Sequence, residues 1–437
     1  MDMGLITLLI FASFLLCLFL GLPVAFCLFS IAMVSALILL GPSAIHLAFY
    51  TSFGAMTFDI FLAIPLFVAM SVVIEFSGIA SALYETMYKW FGPLRGGLAI
   101  GTVAICTIIA AMTGLGATGV VTMGIIALPE MLKRGYDKGL AIGCIPPGGA
   151  LGPLIPPSAP MITIAAFGNL SVAKMFIGGV VPGLALSFCY CMYIAIRAYR
   201  NPLLAPALPR EERATWREKL ISLRGVILPV ILIIAVLGSI YSGAATPTEA
   251  GAVGACGALI CALIYRRLSW RTLRQAVTMT AKISGMVMWL MAGGMCFSSI
   301  LAITGITKWV GSSLLGLAVA PIVTIICMQV IGLILGCFID AASITVICIP
   351  LFLPVVRELG FDPLWFSIVF DINLIIGYIT PPFGMNLFYT KGIAPKDITM
   401  ELIYRSVVPY IIMGVSVMVL CFLFPNVVLW LPNMMGK

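Results

Sequence analysis

The sequence has 437 residues, of which 62% are hydrophobic and 9% are charged, and its formal net charge is +8. Soluble domains are about 45–50% apolar and about 25% charged, so this composition excludes a soluble protein. The uncharged runs far exceed the roughly 10-residue alternating segments of membrane β-barrels, which excludes a barrel. We therefore predict an all-α polytopic membrane protein. The basic residues lie between apolar runs and indicate topology rather than nucleic-acid binding, while one His and no GxxxxGK[ST] motif exclude a multi-histidine metal site and nucleotide hydrolysis by this sequence.

The first predicted elements extend to residue 172. Residues 1–58 hold two N-terminal scaffold spans, and residues 59–172 form a first transport region. Within it, residues 98–130 are too long for one helix between flanks of like charge, so we predict a reentrant hairpin that enters and leaves the membrane by one face. Glycines and prolines interrupt the apolar run at 139–170, which predicts a broken helix.

The middle of the chain is predicted to be scaffold. A span at 173–196 precedes residues 197–224, which contain seven Lys and Arg and three Pro. This composition is typical of a cytoplasmic linker, and we expect an interfacial helix near 211–223. Residues 225–282 form a scaffold hairpin followed by a basic loop.

The remaining elements repeat the earlier pattern. Residues 283–396 form a second transport region, with a reentrant hairpin at 309–356 and a broken helix at 364–390. A C-terminal scaffold span occupies 397–437. The two tips, near 113–118 and 336–340, and the two breaks place irregular backbone at membrane depth, where it is tolerated only when it is buried or lines a wet cavity.

The two transport regions are internal repeats. The segment LPEMLKRGYD at 128–137 matches LPVVRELGFD at 353–362, and the PP pair at 156–157 matches the pair at 381–382, each 225 residues later. The first of these loops is mainly basic and the second mainly acidic, which predicts opposite orientations in the membrane. Inverted repeats with interrupted helices are typical of secondary transporters; a plain channel is the alternative.

The interrupted helices have a chemical consequence. Unwinding frees carbonyl oxygens, which are hard ligands suited to Na⁺, and half-helix N-termini attract anions. The alternative is two proline-kinked helices without a ligand. Asp340, at the second tip, either caps the following helix or takes part directly in ion chemistry. Asp371 lies where an apolar residue is expected.

Five motifs, TGLGAT, IPPSAPM, ATPTEAG, GCFIDAA and GYITPPFGMNLF, occur in order over nearly the whole chain. They resemble the large membrane subunit of tripartite ATP-independent periplasmic (TRAP) transporters. The resemblance implies an elevator-type transporter that uses a Na⁺ gradient to import an organic acid anion, such as a dicarboxylate, keto acid or sugar acid. It also implies a small four-helix membrane subunit, a periplasmic solute-binding receptor and a multi-pass location in the bacterial inner membrane, for which we expect periplasmic termini.

The same resemblance assigns site residues. By motif position it implies Na⁺ contacts at Thr113, Gly114, Gly152, Ile155 and Pro157, and at Gly336, Gly377, Thr380 and Phe383. Candidate substrate contacts are Gly116, Thr118, Ser158, Asp340, Ser343 and Asn386. The family's first tip is usually serine-rich, often SGSS, where this chain has TGLG. No organic cofactor, catalytic residue or nucleic-acid partner is expected.

The two alternative functions are a transporter that needs no partners and an enzyme. A stand-alone Na⁺:anion symporter of similar architecture would need no receptor. An intramembrane hydrolase would need a base that the sequence does not offer.

Overall fold

The computed structural model describes residues 2–316 and 319–435, and no β-strand occurs within them. Residues 1, 317–318 and 436–437, which belong to the first predicted span, the second hairpin and the last span, lie outside this description. The helices of the first half are α1 Met3–Phe19, α2 Val24–Leu40, α3 Ala44–Met56, α4 Asp59–Phe76, α5 Ile79–Phe91, α6 Gly97–Thr113, α7 Gly116–Lys133, α8 Lys138–Gly143, α9 Ile145–Ala150, α10 Ala159–Gly168 and α11 Val172–Arg200.

The helices of the second half are α12 Trp216–Ser222, α13 Arg224–Tyr241, α14 Pro247–Ile264, α15 Trp270–Ile303, α16 Ile306–Leu315, α17 Pro321–Gly336, α18 Ala341–Glu358, α19 Pro363–Gly377, α20 Met385–Ile393, α21 Met400–Leu423 and α22 Asn426–Met434. A single 3₁₀ turn, Arg210–Glu212, lies in the linker between α11 and α12. Where we expected one interfacial helix near 211–223, the linker thus forms this turn and the shorter α12.

Seven helical segments in the described part are long and apolar enough to cross a membrane: Asp59–Phe76, Val172–Arg200, Trp216–Tyr241, Pro247–Ile264, Trp270–Ile303, Ala341–Glu358 and Met400–Leu423. An 18-residue helix is about 27 Å long, close to the thickness of the hydrocarbon core. The protein is therefore an all-helical membrane protein.

The repeat extends to the helix boundaries. The bounds of α7, Gly116–Lys133, fall on those of α18, Ala341–Glu358, after the 225-residue shift. The two halves differ where proline differs. Pro146 and Pro147 lie in the first turn of α9 and separate it from α8, whereas their counterparts Asp371 and Ile372 leave α19 continuous. Proline has no N–H to donate to the preceding turn, so the first half breaks where the second does not.

Helices of the first repeat pack against helices of the second. Lys138, at the start of α8, lies 2.6 Å from the carboxylate of Asp397, between α20 and α21. The hydrogen bond from Lys138 lowers the pKa of the Asp397 carboxyl, so the pair is charged at neutral pH and is lost as pH falls. Arg357, at the end of α18, donates to the carbonyl of Gly168 at the end of α10 over 2.6 Å. Accordingly α10 packs along α18, and α20 packs along α7.

The second hairpin is shorter than expected. The predicted range 309–356 begins inside α16, a separate helix that starts after Gly305 in the left-handed conformation (φ 83°). The hairpin itself consists of α17 and α18, so its first helix begins at Pro321, where the fixed φ of proline suits a first helical position. Trp309 belongs to α16 and not to the hairpin.

Candidate functional site

The first hairpin tip packs backbone to backbone against the first helix break. Gly114 ends α6 in the left-handed conformation, with φ 61°, and a Cβ there would overlap the carbonyl oxygen of Pro157. A Cβ at Gly152 would lie 2.7 Å from the carbonyl carbon of Leu115 and 2.8 Å from the amide nitrogen of Gly116. Only glycine fits at both positions, because real Cβ contacts are longer.

Oxygen atoms are concentrated at this contact. The carbonyl of Pro157 faces the tip. The carbonyl of Thr113 accepts a hydrogen bond of 2.6 Å from the hydroxyl of Ser71, and the Thr113 hydroxyl accepts one of 3.4 Å from the Leu115 amide. Thr113 is buried. The tip is therefore held from outside by α4 while its oxygens lie beside the break.

Two of the expected residues at this break have structural roles in their side chains. Ser158 donates to the carbonyl of Pro153 and accepts from the Met161 amide at 3.3 Å, so it caps α10. The side chain of Ile155 is buried against Gly183 of α11. Ile155 can therefore offer an ion only its backbone carbonyl, and Ser158 has its hydroxyl already engaged.

The N-terminus of α7 lies at the same place and has no side-chain cap. Its N-cap residue is Leu115, and Gly116 and Thr118 belong to its first turn. The Oδ1 atom of Asn386, from α20, lies 3.8 Å from the position of a Cβ at Gly116, and its Nδ2 donates to the carbonyl of Pro146 at 3.1 Å. A buried amide of the second repeat thus completes the first cluster.

The second hairpin meets the second break through a pair of glycines. A Cβ at Gly377 would lie 2.8 Å from the Cα of Gly336, and one at Gly384 would lie 2.7 Å from the carbonyl oxygen of Tyr378. The hydroxyl of Thr380 donates to the carbonyl of Ile376 over 2.7 Å. Its proton is therefore directed into the helix, and its lone pairs remain available on the other side.

The N-terminus of α18, unlike that of α7, is capped by side chains. The Asp340 carboxylate accepts from the Ser343 amide at 3.1 Å and from its hydroxyl at 2.5 Å. The Tyr378 hydroxyl accepts from the Ala341 amide at 3.2 Å. Of the two roles considered for Asp340, helix capping is the one that these contacts show, and Ser343 serves the same cap.

Phe383 lies at the edge of this second cluster. Its ring is half exposed and packs 5.4 Å from that of Phe338 at the tip. Both rings and Asp340 line a cavity of about 560 Å³ between the tip and helices α1 and α2. The walls are otherwise apolar, so Phe383 can add only its carbonyl oxygen to an ion site.

The structure thus groups the expected residues into two clusters. The first contains Thr113, Gly114, Gly116, Gly152, Pro157 and Ser158, joined by Asn386. The second contains Gly336, Asp340, Ser343, Gly377, Thr380 and Phe383. Thr118, half-buried in α7, and Ile155 are adjacent to the first cluster without a polar side-chain contact to it.

Sequence reasoning missed two contributors. Tyr378 belongs to the GYITPPFG motif, so its position next to the second break could have been predicted from the sequence. Ser71 lies in an apolar helix, and no motif marks it. Within the described residues no three His, Cys, Asp or Glu side chains come close enough to hold a metal ion. Apart from the Asp340 carboxylate, which caps α18, the oxygens at the clusters belong to backbone carbonyls, hydroxyls and the Asn386 amide, and such neutral oxygens suit a hard monovalent cation.

The family model and the related sequences that match this chain carry the same family description. Residues 11–427 match the model described as "Tripartite ATP-independent periplasmic transporter, DctM component". The C4-dicarboxylate TRAP transporter large permease DctM of Pseudomonas aeruginosa is 35% identical over 86% of each chain. The 2,3-diketo-L-gulonate TRAP transporter large permease YiaN of Escherichia coli is 32% identical over 86% of this chain and 87% of its own. The isethionate permease DctMQ of Oleidesulfovibrio alaskensis is 32% identical over 96% of this chain and 65% of its own.

Solved structures share the fold at low identity. The YdaH transporter of Alcanivorax borkumensis superposes with a TM-score of 0.65 at 15% identity, over 96% of this chain and 98% of its own. MtrF of Neisseria gonorrhoeae, described within a class of antimetabolite efflux pumps, gives 0.63 at 14% identity, over 89% and 84%. At this identity the likeness concerns the fold alone.

Proposed function

This chain belongs to the TRAP transporter family as a large membrane subunit, and from that premise we propose that it imports a small organic acid anion by Na⁺ symport with an elevator motion. The observation that carries the proposal is the pair of equivalent tip–break contacts. At each one, glycines bring a hairpin tip and a helix break into backbone contact and leave carbonyl or hydroxyl oxygens beside it.

Two cation sites would suit the energetics of import. Moving one charge through about 100 mV is worth about 2.3 kcal/mol, so a dianion entering against an inside-negative potential costs roughly 4.6 kcal/mol. Two Na⁺ ions would offset this electrical cost. A tenfold Na⁺ gradient would add about 1.4 kcal/mol per ion.

The anion itself would bind at the first cluster. The uncapped start of α7 presents backbone N–H groups and the positive end of the helix dipole. The Asn386 amide lies beside it. At the second cluster the Asp340 carboxylate closes the start of α18 and would repel an anion, so we assign Gly116, Thr118 and Asn386, rather than Asp340 and Ser343, as substrate contacts.

The contacts between the two repeats support an inverted orientation. The start of α8 lies beside the loop between α20 and α21, and the end of α18 lies beside the end of α10. If the basic linker at 197–224 is cytoplasmic, these contacts support inverted repeats with the Lys138 end inside and the Asp362 end outside. The reentrant hairpins and broken helices would then form the moving part, in an inner-membrane protein with periplasmic termini.

This orientation predicts the result of cysteine labelling. In a Cys-free background, Arg210→Cys should react with a membrane-impermeant maleimide only from the cytoplasmic side and Asp362→Cys only from the periplasmic side. Both side chains are exposed on the protein, so only the side of the membrane on which each lies determines whether the reagent reaches it. Reaction of both from one side would rule out inverted repeats.

Reconstitution tests the function. Proteoliposomes containing this chain, the small four-helix subunit and the periplasmic receptor should take up a radiolabelled dicarboxylate, keto acid or sugar acid only with an inward Na⁺ gradient. Omission of the receptor or of the small subunit should abolish uptake. Robust uptake by the chain alone would favour a stand-alone symporter, and full uptake with a proton gradient and no Na⁺ would exclude Na⁺ coupling.

A further inference from the structure

Asp371 is a buried carboxylate that the proposed transport mechanism does not use. It lies in the middle of α19 and is 0% exposed. Among the described residues it is the one Asp, Glu, Lys or Arg that is buried, and neither of its carboxylate oxygens has a hydrogen-bond partner there. A buried ionised carboxylate without partners is strongly disfavoured, so such a group binds a cation or carries a proton.

No positive charge in the described part of the chain neutralises it. None of the salt bridges involves Asp371. The helices that pack against α19 are α10, α11, α17, α18, α21 and α22. Their cationic side chains lie near helix ends: Lys174, Arg197 and Arg200 on α11, Arg357 on α18 and Arg405 on α21. Arg357 is engaged with the Gly168 carbonyl.

The remaining titratable groups on these elements are carboxylates at helix ends and neutral phenols and thiols. The carboxylates are Asp340, Glu358, Asp362 and Glu401, all at helix starts or ends. The phenols and thiols are Cys189, Tyr190, Cys191, Tyr193 and Tyr199 on α11, Cys327 and Cys337 at α17, Cys348 on α18, Tyr378 after α19, and Tyr404, Tyr410 and Cys421 on α21. Helices α10 and α22 carry none. Tyrosine and cysteine are ordinarily uncharged near neutral pH, so they do not compensate a carboxylate.

Asp371 is better suited to hold a proton than a metal ion. Ser367 lies one turn earlier on the same helix face, and its hydroxyl is buried without a partner. The Thr345 hydroxyl of α18 is likewise unpartnered. A neutral carboxylic acid carries no charge and has fewer acceptor sites to satisfy than a carboxylate, so it is less costly to bury without partners. A metal ion would need several ligands, and among the described residues no three His, Cys, Asp or Glu side chains lie close enough together to hold one.

The repeat connects Asp371 with the site. Its counterpart in the first repeat is Pro146, whose carbonyl accepts the hydrogen bond from Asn386 at the first cluster. Asp371 itself lies on the helix that ends at Gly377, which packs on Gly336 of the second tip. A movement that opens this contact would bring water toward α19.

We propose that Asp371 is a proton-binding site of the transport region, protonated in this conformation and exchanging its proton with water when the second tip–break contact opens. The carboxylic O–H bond breaks, the electron pair stays on the carboxylate and the proton passes to water. This inference rests on the proposed transport function and adds a proton to the Na⁺-driven cycle. The neutral acid explains how the side chain is buried without a counter-ion.

The test compares Asp371→Asn with Asp362→Asn in the reconstituted three-component complex. Asp362 is an exposed carboxylate that caps the same helix, and asparagine preserves a cap. Substrate uptake is measured on both sides of neutral pH under a Na⁺ gradient, together with the internal pH. Wild type and Asp362→Asn should bring protons in with the substrate and show pH-dependent uptake. Asp371→Asn should retain Na⁺-driven uptake but lose the proton entry and the pH dependence.

Proton entry that persists in an active Asp371→Asn protein, or none in an active wild type, would overturn the proposal. A second measurement needs neither a variant nor transport. Dicyclohexylcarbodiimide adds to a protonated carboxyl in an apolar environment, so mass spectrometry of the wild-type complex should find one added reagent mass on Asp371 at low pH, less at high pH, and none on Asp362. Absence of labelling at Asp371 would also overturn it, whereas an inactive wild type would count against the transport function alone.

Discussion

Gly114→Ala is expected to lower Na⁺-dependent uptake by roughly 100-fold, equivalent to about 2.7 kcal/mol of lost ion binding. Gly114 ends α6 in the left-handed conformation, and a methyl group there would overlap the carbonyl oxygen of Pro157. The neighbour is backbone and cannot rotate away. The tip must therefore move off the break, which separates the oxygens proposed to bind the first ion.

Gly135→Ala is the matched control for this variant. Gly135 follows the hairpin with φ 77°, so alanine would carry a similar left-handed strain of about 1–2 kcal/mol, yet nothing lies within 4 Å of its Cβ position. Na⁺-dependent uptake by the purified, assembled complexes is compared at equal protein. Similar losses in both variants would show that backbone strain, and not the contact with Pro157, is responsible.

Thr380→Val is expected to raise the Na⁺ concentration for half-maximal uptake by about tenfold, which corresponds to about 1.4 kcal/mol for one oxygen ligand. The hydroxyl donates its proton to the Ile376 carbonyl, so its lone pairs are free for a cation at the second break. Valine preserves the shape of the side chain and removes this oxygen. The variant should still assemble with the small subunit.

Thr102→Val provides the comparison for Thr380→Val. The hydroxyl of Thr102 makes the same type of bond, to the Leu98 carbonyl over 2.8 Å, and it is buried in α6 away from the tip. Na⁺ titrations at fixed substrate concentration should show wild-type half-saturation for Thr102→Val. An unchanged Na⁺ dependence in Thr380→Val would exclude this hydroxyl as an ion ligand.

Much of the fold could be predicted because its signals are local. Composition predicts a membrane protein, and the long uncharged runs exclude a β-barrel, so the backbone must satisfy its hydrogen bonds within helices. The proline pairs at 156–157 and 381–382 mark the breaks, and the sequence before α18 gives helix capping as one of two roles for Asp340, the one that the structure shows. Proline breaks and helix caps act within about one helical turn, so the residues concerned are neighbours in the sequence.

The tertiary structure alone decided which distant segments meet. Asn386 reaches the first cluster from the second repeat, 240 residues from its partner Pro146, and Ser71 holds the tip at Thr113 from α4. The isolation of Asp371 is also a tertiary property. The sequence shows an acid in an apolar helix, but only the packing of six other helices around α19 shows that no charged partner reaches it. Local signals carry no information on such contacts, because they depend on how whole helices pack.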